Sequence, residues 1–341
     1  MRRCNKIMLL GLPLLASATV ALFMLNLFCG SVDIPFGDVL SVLAGGGERE
    51  SWRLIVLETR LPQAVTALLS GAAISVVGLL LQTLFNNPLA GPEVLGINSG
   101  AGLGVALVML FAQGVFAFGG MTLAGFLAVI AGATAGAAAV MTIILFLSSR
   151  LRNKVFLLIA GVAVGYLVSS LVSVLNYFAT SEGVHSYLIW GMGSFSAVSS
   201  GQLVFFAVPV LLLLAASLLM MKPLNALLLG DAYAHNLGVN VKYVRTALLA
   251  ISGMLTAVVT AFCGPVAFLG LAVPHLTRML LGSNNHNVVL PGTVLTGASV
   301  ALLCNLICQL PGESGLLPLG AITPLVGAPV IIYVVLKDKS F

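Results

Sequence analysis

Residues 61–85 have the sequence LPQAVTALLSGAAISVVGLLLQTLF, a run that contains no charged side chain. A helix needs about 20 apolar residues to cross the ~30 Å hydrocarbon core of a bilayer. The whole chain has the same character, because 60% of its 341 residues are hydrophobic and 7% are charged. Soluble proteins carry roughly 25% charged residues, so most of this surface must face lipid. Barrel strands would alternate in polarity, and this run does not. The sequence therefore predicts an all-α integral membrane protein.

Further apolar runs follow along the rest of the chain. Allowing about 20 residues for each crossing, the sequence predicts about ten transmembrane helices in a single transmembrane domain, residues 1–341. The first run is longer than the ~7–15 residues of a signal-peptide core, so we expect it to be retained as a helix. The predicted spans are 7–28, 61–85, 97–113, 120–147, 155–178, 202–221, 246–263, 266–281, 288–309 and 318–336.

Several predicted spans contain pairs of glycines four residues apart, a spacing that places both on one face of a helix. Small residues in such a pair let two helix backbones approach closely inside a membrane. We expect these pairs to pack helices within one chain rather than between two chains. The pairs are Gly100 with Gly104, Gly132 with Gly136, and Gly161 with Gly165.

The basic residues indicate the orientation. With the N-terminus inside, 12 of the 15 Lys and Arg residues fall in cytoplasmic segments, which predicts that both termini are cytoplasmic. The basic residues punctuate apolar runs instead of forming one basic face, so the formal charge of +5 does not indicate a nucleic-acid partner. The outside residues are Arg49, Arg53 and Arg60; the inside residues are Arg2, Arg3, Lys6, Arg150, Arg152, Lys154, Lys222, Lys242, Arg245, Arg278, Lys337 and Lys339.

One predicted cytoplasmic loop, residues 222–245, contains the signals of a short helix. Asp231 is suited to the N-cap and Gly238 to the position just after the C-cap. Tyr233 and Leu237 would share one face of that helix. A helix of under two turns is unstable alone in water, so this one is expected to pack on its own protein or on a partner.

Several kinds of chemistry are missing from the sequence. No G-x-x-x-x-G-K-[ST] motif for ATP is present, no constellation of catalytic side chains can be found, and the five cysteines lack metal-ligand spacing. No acidic residue falls near the middle of a predicted span, where an ion-coupled carrier usually keeps one. A stand-alone secondary carrier or channel stays open as the alternative function, but energy for active transport is expected to come from another polypeptide.

An ordered set of motifs, from about residue 52 to the C-terminus, resembles the membrane permeases of the FecCD family. These are subunits of ABC importers for iron-siderophores, haem and cobalamin. The motifs are Arg60-Leu61-Pro62, Gly71-Ala72-Ala73, Gly78, Gln82, Asn87-Pro88-Leu89-Ala90-Gly91-Pro92, Leu95-Gly96, Trp190-x-Met192-Gly193-Ser194-Phe195, Leu237-Gly238, the run GPVAFLGL at 264–271, Pro274-His275, Arg278, Pro318-x-Gly320, Thr323 and Gly327-Ala328-Pro329.

The resemblance implies a homodimer of ten-helix subunits, like a cobalamin-importer permease, in the bacterial inner membrane. Two cytoplasmic ATP-binding subunits would dock below it and an extracytoplasmic substrate-binding protein above it. The chain itself would bind no cofactor and no metal, and the partner subunit would use ATP. Residues Asn153, Lys154 and Val155 match the position of the family's cytoplasmic gate. The residues implied to couple to the ATPase are Gly230, Asp231, Tyr233, Ala234, Leu237 and Gly238.

The sequence departs from the family pattern on the predicted outer face. Gln63 and Gln309 stand where relatives carry arginine, Asn305 replaces an aspartate, and Leu316-Leu317 replaces a glutamate. In relatives, the outer arginines pair with glutamates of the binding protein. Docking is therefore expected to depend on Arg60, with Arg49 and Arg53 as further candidates and Gln63 and Gln309 as polar contacts; the alternative is a different partner. The choice among haem, ferric siderophore and cobalamin stays open.

Overall fold

The computed structural model describes residues 2–30, 32–46, 49–111, 123–151, 153–310, 315 and 317–337, with the side chains of 2–9, 111, 123, 124, 334, 335 and 337 excepted. All regular secondary structure in these ranges is helical, as the composition predicts. Among the residues used above for topology or family pattern, Arg152, Leu316 and Lys339 lie outside the described part, as do the ends of the spans predicted at 97–113 and 120–147.

The described α-helices are numbered in chain order. The first half contains α1 (Arg2–Phe28), α2 (Phe36–Leu43), α3 (Glu50–Leu54), α4 (Leu61–Phe85), α5 (Ile97–Phe111), α6 (Leu123–Arg150), α7 (Lys154–Phe178) and α8 (Ser181–Gly191). The second half contains α9 (Ser200–Leu219), α10 (Met221–Leu227), α11 (Asp231–Asn236), α12 (Val241–Cys263), α13 (Leu269–Leu281), α14 (His286–Cys308) and α15 (Leu319–Lys337). Single 3₁₀ turns occupy Pro92–Leu95 and Phe195–Ala197.

In the described part, seven helices are long and apolar enough to cross a membrane, and three further apolar helices are shorter. Each of the ten predicted spans overlaps one of these ten helices. The short ones are Ile97–Leu110, Leu269–Leu281 and Leu319–Tyr333. Residues 264–268 separate α12 from α13, where the sequence offers almost no loop. Gly264 makes the turn possible, because its φ of +74° is strained for a residue with a side chain.

The second spanning helix begins earlier than predicted. One continuous helix runs from Glu50 to Phe85, and its segment Ile55–Arg60 is a π-helix. The physical reason lies in Pro62, which has no N–H to donate to the carbonyl four residues before it. The wider π turn just before the proline accommodates this loss. The helix therefore extends outward through part of the segment predicted as a loop.

Helix α4 is the centre of the bundle: it packs against α9, α12, α13 and α14, and nearly all of its residues are buried. Close contact depends on glycine. A Cβ atom on Gly78 would lie 1.6 Å from the carbonyl oxygen of Gly270 in α13. A Cβ atom on Gly104 in α5 would lie 1.8 Å from the carbonyl oxygen of Gly132 in α6. The prediction that such glycines pack helices within one chain is confirmed for this α5–α6 contact.

Candidate functional site

Helix α11 has the C-terminus that the sequence predicts and a different N-terminus. Gly238 follows the helix with a φ of +83°. Its N–H donates to the His235 carbonyl (2.9 Å) and the Val239 N–H donates to the Ala234 carbonyl (3.0 Å), which is a Schellman motif. The prediction that Asp231 is the N-cap is wrong, because Gly230 takes that position with a φ of +97°. Asp231 is instead the first helical residue, where its negative carboxylate interacts favourably with the positive end of the helix dipole.

The two faces of α11 differ. Tyr233 and Leu237 are 55% and 59% exposed and lie one turn apart, as predicted. Ala234 is fully buried against the protein. The helix is therefore held by its Ala234 side and presents two large, mostly exposed side chains outward.

The carboxylate of Asp231 connects α11 to two other helices. Its Oδ1 lies 2.7 Å from the Nζ of Lys154, at the start of α7, and its Oδ2 lies 3.8 Å from Nη2 of Arg245 in α12. The Nη1 of Arg245 also donates to the carbonyl of Leu151, just after α6 (3.3 Å). One acidic side chain thus joins α11 to α7 and α12, and Arg245 extends the connection to the end of α6.

The predicted gate residues Asn153, Lys154 and Val155 form the beginning of α7. The Asn153 side chain accepts the N–H of Val155 (2.8 Å) and caps the helix. The Val155 side chain is exposed, and Lys154 makes the ion pair with Asp231. The structure thus places the three gate residues beside the predicted coupling helix, at one end of the bundle.

A second polar cluster holds the short helix α10. The Oδ1 of Asn225 accepts the backbone N–H of His286 (2.8 Å), and its Nδ2 donates to Asn285 (3.0 Å). His286 is buried, and its Nε2 lies 2.9 Å from the hydroxyl oxygen of Thr83 near the end of α4. These contacts fix α10 to the N-terminus of α14 and, through it, to α4.

Two of the predicted docking residues point inward. Arg60 is 4% exposed, and its guanidinium donates to the carbonyls of Leu27 and Phe28 (2.9 Å each) and to that of Val32. Arg60 thereby ties the chain that follows α1 to the start of α4. In this conformation it offers little surface to a partner, so its docking role stays a prediction that requires the side chain to move.

Gln63 belongs to a buried chain of amides. It is 8% exposed and donates to the Oδ1 of Asn305 (2.9 Å), and the Nδ2 of Asn305 donates to Asn26 in α1 (2.7 Å). The third docking candidate, Gln309, is partly buried at the C-cap of α14, and its Oε1 has no hydrogen-bond partner among the described residues. Gln63 and Asn305, the positions where the family pattern has an arginine and an aspartate, therefore contact each other in this chain.

Among the residues of these networks that sequence reasoning missed are Asn26, Asn225 and Arg245. A signal existed for Asn26, because a polar residue in an apolar run is expected to find a partner. The other two lie in the loop predicted to be cytoplasmic, residues 222–245, where polar residues are ordinary. In the part of the chain that the structure describes, no group of three or more His, Cys, Asp or Glu residues is placed to hold a metal ion. The absence of a bound cofactor stays a prediction.

Comparison with known proteins identifies similar chains over nearly the full length. The model of the FecCD transport family matches residues 18–337. Over 326 residues the chain is 36% identical to the vitamin B12 import system permease protein BtuC of Escherichia coli O9:H4 (strain HS), an alignment that covers 92% of this chain and 95% of that protein. The protein of the same name from Shigella boydii serotype 18 (strain CDC 3083-94 / BS512) gives the same values.

A solved structure has the same fold. It is described as an inward-facing conformation of a transporter of the metal-chelate ABC type. Its TM-score is 0.81 at 31% sequence identity, and the match covers 98% of this chain and 99% of that chain.

Proposed function

The chain belongs to the FecCD transport family, and from that premise we propose that it is the permease through which an ABC importer moves a cobalamin-like metal chelate into the cytoplasm. It is a multi-pass protein of the bacterial inner membrane and a transport subunit, not an enzyme. The relatives named for vitamin B12 import support cobalamin over haem and ferric siderophores, which no named relative above supports.

The proposed arrangement is a homodimer of ten-span subunits in which residues 1–341 form one domain and both termini are cytoplasmic. The ten apolar helices support the number of spans. Three spanning helices, α1, α7 and α9, have at most 22% of their most apolar stretch buried within one chain, and we place α7 of these at the dimer interface. Lipid alone could cover such a surface, but a second subunit would also give a central path between two copies of α7.

Helix α11 is the basis for the proposed coupling of this chain to a cytoplasmic ATP-binding subunit. Residues 222–245 are the proposed coupling loop, and the observation that carries this proposal is the outward face of Tyr233 and Leu237 on a helix whose first residue is ion-paired to Lys154. A cytoplasmic ATP-binding subunit would bury that face. Movement of α11 would then reach the proposed gate, Asn153 to Val155, through the ion pair. ATP is used by the partner subunit.

On the opposite side we propose that an extracytoplasmic substrate-binding protein docks. Arg60, Gln63 and Gln309 stay the candidate contacts from the family pattern, although the first two are committed to internal hydrogen bonds. The alternative, a carrier or channel that works alone, is not favoured. Within the described spanning helices, Asp and Glu occur only at Glu50 and Glu58, near the outer end of one helix.

The test is reconstitution in liposomes with and without the cognate ATPase and binding protein. Uptake of cyanocobalamin that requires both partners and hydrolysable ATP is the expected result. Uptake by the purified chain alone, driven by a proton or sodium gradient, would show that it is a secondary carrier. Haem uptake without cyanocobalamin uptake would keep the transport function and overturn the proposed substrate.

A further inference from the structure

A cavity of about 310 Å³ opens on the surface of the chain between α5, α7 and α8, and several polar side chains interrupt its mostly apolar lining. It reaches Pro265, in the break between α12 and α13. Its polar lining comes from Asn98, Ser99, Ser169, Tyr187 and Trp190. Hydroxyl and amide groups would be costly to cover with lipid hydrocarbon. They are therefore expected to face a water-filled path or a ligand.

Three groups of the lining have hydrogen-bonding capacity that the described part of the chain does not use, and one of them is the buried indole Nε1 of Trp190. The Asn98 Oδ1 accepts the hydroxyl of Thr260 (2.9 Å), which fixes the side chain, and its Nδ2 makes no hydrogen bond to any described residue. The Tyr187 hydroxyl is likewise without a partner there. Tyr187 lies outside the spanning helices, and burial raises the pKa of its phenol, so this group is a neutral donor at physiological pH.

The lining has a third property: none of the described residues around the cavity carries a charge. An anionic group that enters such a site loses water and gains no cation, which is unfavourable. A neutral carboxamide can accept from Tyr187 and Asn98 without that cost. The volume is near the lower end of the ~300–1,000 Å³ typical of small-molecule pockets, so the cavity fits a peripheral group rather than a whole chelate.

We propose that this cavity is a subsite that binds a neutral carboxamide group at the edge of the transported chelate. The inference rests on the proposed function and adds a criterion of selectivity to it. The cavity would bind chelates with peripheral amide groups more tightly than chelates with peripheral carboxylates. Tyr187 and Asn98 are the residues that contact the group. The tilted ring pair of Tyr187 and Trp190, with centroids 6.0 Å apart, forms one wall.

The direct test is equilibrium dialysis of labelled cyanocobalamin against the permease–ATPase complex in nanodiscs, without the binding protein. Tyr187→Phe removes only the hydroxyl, and we expect the dissociation constant to rise roughly five-fold, as for one lost hydrogen bond. The matched control is Tyr177→Phe, because Tyr177 is 83% exposed and does not line the cavity. The control should bind like the wild type.

A second arm uses the ligand. A cyanocobalamin monocarboxylate, in which one peripheral amide is replaced by an ionised carboxylate, should bind the wild type roughly ten-fold more weakly. Equal binding of the two ligands, or equal effects of Tyr187→Phe and Tyr177→Phe, would overturn the subsite. ATP-driven uptake by the full wild-type importer is measured in parallel. If uptake occurs and the subsite tests fail, only the subsite is wrong; if no chelate is taken up, the proposed function fails and the subsite with it.

Discussion

The ammonium group of Lys154, the first residue of α7, lies 2.7 Å from a carboxylate oxygen of Asp231, the first residue of α11. The two residues are 77 positions apart, so this contact joins the proposed gate to the proposed coupling helix through side chains alone. Their side chains are 20% and 38% exposed. Pairs near a surface contribute about 0–1 kcal/mol to stability, so the pair is expected to matter for transport more than for folding.

Reversing one charge of this pair should uncouple the importer. In Lys154→Glu two carboxylates face each other, which separates α11 from α7. We expect the number of ATP molecules hydrolysed per chelate transported to rise at least five-fold, with little change in the thermal stability of the complex. ATPase and uptake rates of the reconstituted complex give this ratio. Adding Asp231→Lys should recover much of the coupling, although Arg245 disfavours a lysine there.

The matched control for this experiment is Lys242→Glu. Lys242 is an exposed residue at the start of α12 and makes no ion pair among the described residues. The control changes the net charge of the same region by the same amount. An equal loss of coupling in Lys242→Glu and Lys154→Glu would show that the surface charge matters and the pair does not.

The exposed face of α11 should bind the ATPase. Leu237→Asp places a charge on that face without disturbing a buried contact, since Leu237 is mostly exposed in the single chain. We expect the permease to remain folded and to lose most of its copurifying ATPase. Ala234→Asp should instead lower the unfolding temperature of the permease alone, because Ala234 is fully buried. Copurification together with thermal unfolding separates these results; normal ATPase binding by Leu237→Asp would exclude this face as the dock.

Gly238 should tolerate asparagine better than valine. No atom lies within 4 Å of a Cβ built on Gly238, so space is available, but its φ of +83° is strained for a branched side chain. Asparagine adopts left-handed conformations far more readily. We therefore expect Gly238→Val to reduce transport strongly and Gly238→Asn to reduce it only slightly, at equal expression. Equal activity of the two variants would mean that the Schellman turn after α11 is not required.

Much of the fold was predictable because it depends on long apolar runs and on basic residues between them. Helix α11 was predictable to within a residue, since Gly238 at its end has a backbone requirement that few other residues satisfy. The start of the Glu50–Phe85 helix was not, because the sequence alone does not show that a π turn before Pro62 lets the helix continue past the proline. Asp231 was assigned to the N-cap from its residue type, and only the structure shows that its carboxylate pairs with Lys154 instead.

The outer face shows a different limit of sequence reasoning. The family pattern shows that Arg60 is retained and that Gln63 and Asn305 are replacements. It does not show which way these three side chains point. Hydrogen bonds between residues 242 positions apart, such as Gln63 to Asn305, leave no local signal in the sequence. The same holds for the cavity beside Tyr187, which forms only when three helices and the break after α12 come together.

The Gln63–Asn305 contact should accept the charged pair of relatives only when both residues change. Gln63→Arg alone buries a guanidinium beside a neutral amide, and Asn305→Asp alone buries a carboxylate, so each should lower the unfolding temperature by several degrees. The double variant restores a paired charge and should recover part of that loss, because an aspartate at position 305 can no longer donate to Asn26. A double-mutant cycle on thermal unfolding in detergent measures the coupling. Additive losses would show that the two side chains do not interact.

The final prediction concerns the dock for the binding protein. Arg60 is almost fully buried and donates to the carbonyls of Leu27, Phe28 and Val32. Arg60→Ala should therefore weaken docking by loosening the segment after α1, without removing a charge from the rim of the interface. Rim charges mainly set the salt dependence of association. We expect a shallow dependence of affinity on salt in the wild type, and the same slope with lower affinity in Arg60→Ala.

Affinities measured in nanodiscs across a salt series test this directly, with Arg53→Ala as the comparison. Arg53 belongs to the same outer segment, and the structure shows no internal ion pair for it among the described residues. If Arg60 leaves its internal contacts to pair with the binding protein, Arg60→Ala will flatten the salt dependence as well as lower the affinity. A change of slope in Arg60→Ala but not in Arg53→Ala would therefore assign a direct charge contact to Arg60. An unchanged slope would assign it the internal role that its three carbonyl partners indicate.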